Sequence, residues 1–421
     1  MSTPPSQRYA DVVGGLTTFF TMAYIVVVNP AILSDGTGVP FTGALTATVL
    51  VAAVMTLLMG VYARLPFAVA PGMGLNAFFA YTMVLQEGVP WPAALGMVFW
   101  SGVLFLLLSV TPARELVATA IPRSLRLATA GGIGLLLAFL GFRNAGLIEA
   151  DPATLVRLGT LDHRAVFLLA GLALAAVLMR RRNPLAFLAS IAATAAGAWG
   201  LGYADAPAAL VGEPDFTSMI FALDLGGALQ VALLPVIVTL LFTDLFDSLS
   251  TFIGVSTASG LIDADGRPLR LGRGLTVDAA ATMLSGLVGT SPGTTFVESV
   301  AGIRMGARTG LASVVTAACF VPCLFLAPLV EAIPAYATAG VLVLVGVAMF
   351  QPVTGLTLDH VEEALPPFVT LLLIPLTFSI TQGILWGFLL HAVLFAAVGR
   401  AREIPPMLWG LAVLSAVLLV I

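Results

Sequence analysis

The chain has 421 residues, of which 59% are hydrophobic and 10% charged, with mean hydropathy +1.05 and formal net charge −4. Soluble domains carry about 25% charged residues, so this composition excludes a soluble globular domain and indicates an integral membrane protein. Apolar stretches of spanning length recur from end to end, which excludes a simple anchor; no nucleic-acid partner is expected.

The start, MSTPPSQRYADVVGG, has no basic region leading into a short apolar run, so no cleavable signal peptide is expected. Apolar runs set against loop punctuation predict segments at 12–32, 42–63, 71–86, 92–111, 122–142, 163–179 and 184–202. An acidic, arginine-free linker, 203–228, follows with Asp205, Glu213, Asp215 and Asp224. Seven further segments are predicted at 229–257, 275–289, 293–306, 308–329, 335–351, 366–380 and 381–398, and an apolar tail, 406–421, crosses or lies at the interface. The reading is an all-α polytopic membrane protein of 14 segments in two halves, 1–202 and 229–398, with a C-terminal stretch 399–421.

Seven segments per half make the second half enter the membrane from the opposite side, an inverted repeat. Two short extended breaks, each at a Pro-Gly step, then fall third in each half, in segments 3 and 10: APGMGLNAFF (70–79) and SPGTTFVESV (291–300). Paired broken segments of this kind point to a transporter's binding site, because irregular backbone at membrane depth must line a cavity or be buried in protein. Two glycine-rich runs, GGIGLLLAFLG (131–141) and AGVLVLVGVAM (339–349), likewise fall fifth in each half. With a cytoplasmic N-terminus, fifteen arginines fall inside, Arg114, Arg126, Arg267 and Arg304 among them, and Arg143, Arg157 and Arg164 outside. That asymmetry follows the positive-inside rule.

Three carboxylates are expected at membrane depth: Asp244 and Asp247 in TDLFDS, and Glu298 in TTFVES. A carboxylate there costs roughly 2.5–3.5 kcal/mol on insertion scales, so each must face a cavity, find donors or take a proton. Asp244 and Asp247 share one helix face, with Thr251 a turn further on. If the helix of the second break starts near Thr294, Glu298 lies close to its N-terminus, and the start of the inverted partner, near Met73, approaches it with a second set of free N–H groups. Thr294, Thr295 and Asn76 add two-way hydrogen-bonding capacity; the threonines equally suit helix capping. Phe19, Phe20 and Tyr24 of the first segment offer faces for a flat ring. No arginine is expected at depth, so the pattern suits a planar, neutral heterocycle and not a strong anion.

A carboxyl group in a low-dielectric cavity binds protons more readily than one in water, so Glu298, Asp247 and Asp244 are the candidates for proton coupling. One charge moved through 100 mV is worth about 2.3 kcal/mol. Cys319 and Cys323 lack the His or carboxylate company of a metal site and read as packing residues.

Five stretches, TFFTMAYIVVVNPAIL, APGMGLNAFFAY, GGIGLLLAFLGFRNAGLI, LFTDLFDSLSTFIGV and GTSPGTTFVESVAGIRMGARTGL, together resemble the azaguanine-type purine permeases of the nucleobase–ascorbate transporter group. The resemblance implies a seven-plus-seven inverted repeat with a core domain, 12–111 plus 229–329, and a gate domain, 122–202 plus 335–398. It implies a homodimeric adenine, guanine and hypoxanthine carrier of the inner (plasma) membrane that moves the core past the gate as an elevator. The coupling ion would be H⁺, with no cofactor and no metal. It also implies base binding by Asp247, Glu298 and Asn76. Two positions depart from the family's pattern: Ser250 stands at a usual glycine and could narrow the cavity, and Arg304 follows the Glu298 motif at the cytoplasmic edge. The alternatives are a uracil, xanthine or anion carrier of the same fold, or a membrane prenyltransferase using Asp244 and Asp247 with Asp263 and Asp265.

Overall fold

The computed structural model describes residues 5–111, 122–262 and 268–419. Asp263, Asp265, Arg114 and Arg267 lie outside the described residues. Among those described, eight helical stretches are long and apolar enough to cross a bilayer, and three shorter apolar helices accompany them.

The first predicted segment is two helices, α1 (Pro5–Met22) and α2 (Ile25–Ser34), separated by a turn at Ala23 and Tyr24. Helix α3 (Phe41–Leu58) runs into the first break, where strand β1 (Val69–Pro71) precedes a one-turn helix α4 (Met73–Ala77) that widens into a π-helical stretch, Phe78–Gln86. Next come α5 (Trp91–Val110) and α6 (Arg123–Asn144). A small hairpin of β2 (Ile148–Asp151) and β3 (Leu155–Leu158) occupies what read as a plain loop. It is followed by α7 (His163–Arg180) and α8 (Ala186–Gly200).

The acidic linker is fastened down rather than loose. Asp215 accepts hydrogen bonds from Thr42 Oγ1 at 3.1 Å and Ser218 Oγ at 2.5 Å, and its own N–H donates to Thr46 Oγ1 at 3.0 Å on α3. The second half consists of α9 (Leu234–Ser259), α10 (Leu271–Val288), strand β4 (Gly293–Thr295), α11 (Ser299–Arg304), α12 (Gly310–Phe320), α13 (Ala327–Glu331), α14 (Ala335–Phe350), α15 (Val361–Thr377) and α16 (Ile380–Ala397). The tail forms α17 (Pro406–Leu418). Helix α15 starts five residues before the predicted 366, because Pro366 and Pro367 sit inside it instead of opening it.

Two sets of helices pack most extensively among themselves. One holds α1, α3, α5, α10 and α12; the other holds α6, α7, α14, α15 and α16. In the second set the two glycine-rich runs meet face to face. A Cβ on Gly134 would lie 2.5 Å from the Gly346 carbonyl oxygen, and one on Gly346 would lie 2.4 Å from that of Gly134. Only glycine permits this approach on both sides, and reciprocal contact is what a two-fold relation between helices produces. The paired strands of the breaks pack against α3 and α10 of the first set.

Candidate functional site

Strands β1 and β4 pair antiparallel, with Val69 opposite Thr295, Ala70 opposite Thr294 and Pro71 opposite Gly293. The pairing extends at both ends, since Gly72 N donates to Pro292 O and Phe296 N to Ala68 O, each at 2.9 Å. Every strand residue is buried, and two strands leave two outer edges of backbone polar groups at a depth without water. Side chains satisfy them. Thr56 Oγ1 accepts from Val69 N and donates to Val69 O, both at 2.9 Å, and Ser299 Oγ accepts from Ala68 N at 3.0 Å. On the other edge Thr282 Oγ1 donates to Gly293 O at 3.2 Å, and Asp278 accepts from Thr295 N at 3.3 Å and from Thr295 Oγ1 at 2.8 Å.

This edge chemistry corrects two expectations. The helix of the second break starts at Ser299, not near Thr294, and Glu298 occupies its N-cap position. Thr294 and Thr295 belong to the strand and cap no helix; Thr294 Oγ1 instead bonds Ser248 Oγ at 3.1 Å. The N–H groups expected to converge on a ligand are partly taken up in strand pairing, and the helices that follow have only five and six residues. Side chains therefore supply the polar surface.

A cavity of about 270 Å³ opens between the two helix sets. Tyr24, Met73, Asp247, Ser250, Thr294, Thr295 and Glu298 line it on one side, and Ala130, Phe187, Val345, Ala348 and Met349 on the other. A narrower void of about 70 Å³ shares Gly74, Ala130, Asp247, Ser250 and Met349 with it and adds Arg126, Thr129, Thr243 and Phe246. Glu298 is part-buried, and its Oε1 accepts a 2.7 Å hydrogen bond from Tyr24 Oη. The Tyr24 ring meets Phe187 edge-on, with centroids 5.0 Å apart. Asp247 is part-buried and accepts no hydrogen bond among the described residues, so it faces the cavity as a free acceptor. Ser250 stands where the two voids join.

Four carboxylates, not three, lie at this depth. Asp278 is fully enclosed and serves the edge of β4. It lies four residues into the segment predicted from 275 and is not among the three carboxylates expected at depth. Asp244 is also fully enclosed, one oxygen taking a 2.5 Å bond from Thr282 Oγ1 and the other having no partner. Asp244 and Asp278 thus differ from Asp247 and Glu298 in having no face on the cavity.

Three further expectations change. Asn76 does not line the cavity; it is fully buried behind it, with Nδ2 donating to Asn29 Oδ1 at 3.0 Å. Asn29 in turn donates to Thr48 and Thr290 at 2.7 and 2.9 Å. Phe19 points elsewhere: its ring meets Phe320 at 5.1 Å and lines a separate apolar crevice with Trp199 and Cys323. Arg126, counted among the cytoplasmic arginines, lines the same void as Asp247, with its guanidinium 5.6 Å from the Phe246 ring centroid. The cysteines are both free, Cys323 buried, and among the described residues no cluster of three or more His, Cys, Asp or Glu could hold a metal. Arg304 is exposed at the end of α11.

Residues 10–386 match the sequence family described as the Permease family. The chain is similar to the adenine permease AdeP of Escherichia coli strain K12, with 38% identity over 397 residues covering 94% of this chain and 89% of that one. It is equally similar to the guanine/hypoxanthine permease PbuG of Bacillus subtilis strain 168, with 38% identity over 413 residues covering 95% and 94%. Among solved structures, the transmembrane domain of the cyanobacterial bicarbonate transporter BicA superposes with TM-score 0.67 at 18% identity, covering 91% of this chain and 98% of that one. At that identity the likeness speaks to the fold alone, the inverted seven-plus-seven arrangement of helices.

Proposed function

The chain belongs to the Permease family, and we propose that it imports purine nucleobases (adenine, guanine or hypoxanthine) together with protons across the inner (plasma) membrane. It is a multi-pass membrane transporter of a family of permeases, not enzymes. One observation carries the substrate reading: a single cavity joins a free carboxylate, Asp247, a second carboxylate held by a tyrosine, Glu298, and the aromatic side chains of Tyr24 and Phe187. A purine offers N–H donors on its edge and a flat apolar face, and such a wall matches both. In this reading Asp247 and Glu298 accept from ring N–H groups, and Thr294 and Thr295 border the base. Asn76 acts at one remove, steadying α4 through Asn29. The permease names of AdeP and PbuG support the substrate class.

The proton is assigned to Glu298 and Asp247, the carboxylates that reach the cavity. Asp244 connects to it only through Thr282 and the β4 backbone. The cavity draws its walls from both helix sets, with 12–111 and 229–329 on the core side and 122–202 and 335–398 on the gate side. Gly74 marks the seam, since a Cβ there would lie 2.8 Å from Ile133 of α6. Sliding of the core along this seam would carry a bound base from one face to the other, with the N-terminus cytoplasmic and two copies forming a homodimer.

Uptake of radiolabelled adenine, guanine, hypoxanthine, xanthine and uracil by cells lacking their own base carriers tests the proposal, with a collapsed proton gradient as control. At least one purine should accumulate, and Glu298→Ala should abolish its binding. No uptake of any purine, or wild-type affinity in Glu298→Ala, would remove the assignment.

A further inference from the structure

We propose that Arg126 determines substrate specificity by donating to the 6-oxo oxygen of the base, making this a carrier of oxopurines such as hypoxanthine and guanine in preference to adenine. The inference rests on the purine reading and goes beyond it.

Arg126 stands near the start of α6, on the gate side, and lines the void that also holds Asp247, Ser250 and Thr129. Its guanidinium lies over the Phe246 ring, 5.6 Å from the centroid. Among the described residues no carboxylate lies within ion-pairing distance of it. Its Nε is buried and has no hydrogen-bond partner. A guanidinium can only donate, and a buried donor left unmet is costly, so a residue in this setting calls for an acceptor that arrives with the ligand.

Asp247, which lines both voids, and the guanidinium then read one edge of a purine between them. Hypoxanthine and guanine carry a 6-oxo acceptor beside an N1–H donor, so Arg126 meets the oxygen and a carboxylate meets the N–H. Adenine carries a 6-amino donor beside an N1 acceptor, which sets donor against donor and acceptor against acceptor. A site built to hydrogen-bond a substrate group rejects the analogue that lacks it far more strongly than a purely apolar pocket does. Thr129 and Ser250, whose hydroxyls both donate and accept, discriminate neither way.

Binding and competitive uptake of hypoxanthine, adenine and unsubstituted purine, which lacks the 6-oxo group, test this on wild-type protein, Arg126→Gln and Arg126→Lys. Wild type should favour hypoxanthine over both others by at least about tenfold, the scale of a hydrogen bond from a charged donor. Arg126→Gln should lose that margin against unsubstituted purine while its affinity for adenine holds or rises, and Arg126→Lys should retain part of it. The wild-type comparison needs no variant to fold. Wild type that prefers adenine, or Arg126→Gln that weakens all three bases equally or none, overturns the role of Arg126 and leaves the purine reading standing. Wild type that binds none of the three overturns both.

Discussion

Thr56 is the residue on which the crossing strands most depend. Its hydroxyl both accepts from Val69 N–H and donates to Val69 C=O, each at 2.9 Å, and it is fully buried. Thr56→Val keeps the shape and removes the hydroxyl, leaving one backbone donor and one acceptor unmet where no water can reach them. Each such group costs about 1–3 kcal/mol, so the variant should lose roughly 2–6 kcal/mol. Thr56→Ser, which keeps the hydroxyl, should lose far less. Equilibrium unfolding of the detergent-solubilised proteins, followed by denaturant midpoint, measures the difference. Base affinity should fall in parallel, because the same strands carry Thr294 and Thr295 to the cavity. Thr56→Val with wild-type stability would refute the claim that side chains replace the missing sheet neighbours.

Tyr24→Phe removes the donor to Glu298 Oε1 while keeping the ring, and should weaken binding of the preferred base by roughly tenfold, as read by equilibrium binding; unchanged affinity would detach Tyr24 from the site. Uptake should rise as external pH falls, and Glu298→Gln combined with Asp247→Asn should flatten that response; an equally steep pH profile in the double variant would exclude both as proton carriers. In the linker, hydrogen bonds from Ser218 foremost, and from Thr217, hold the Asp215 carboxyl well below the usual carboxylate range. A depressed folded-state pKa contributes stability above the unfolded value and loses it as pH falls through the folded one. Asp215→Asn should therefore unfold more readily than wild type at neutral pH, with the gap closing only in strong acid; a gap independent of pH would mean that charge plays no part.

The parts legible in the sequence were those written as local punctuation. The Pro-Gly steps announce the strands, and the glycine-rich runs announce the helices that meet at Gly134 and Gly346. Asp247 and Glu298 stand out as charges in apolar surroundings, and the cavity receives both. What stayed hidden depends on partners far along the chain. Asp278, near the start of its predicted segment, carries no local mark of its role, since the outer edge of β4 that it satisfies exists only once the strand is formed. Asn76 looked like a ligand because Asn29, its neighbour in space, lies 47 positions away. Phe19 and Tyr24, five residues apart, fall on different helix faces at 100° per residue, and the turn at Ala23 and Tyr24 separates them further. Arg126 fits the cytoplasmic arginine count, and its place beside Phe246 and Asp247 depends on residues far along the chain.

The crossing of β1 and β4 also sets a schedule for biosynthesis. Pro71 and Gly293 are register partners, so roughly 220 residues must be made between the two. At ribosomal speeds of about 5–20 residues per second, the first strand waits some 10–45 s for its partner, one edge met by Thr56 and the other unmatched. The pocket cannot exist until that second strand has been made and paired.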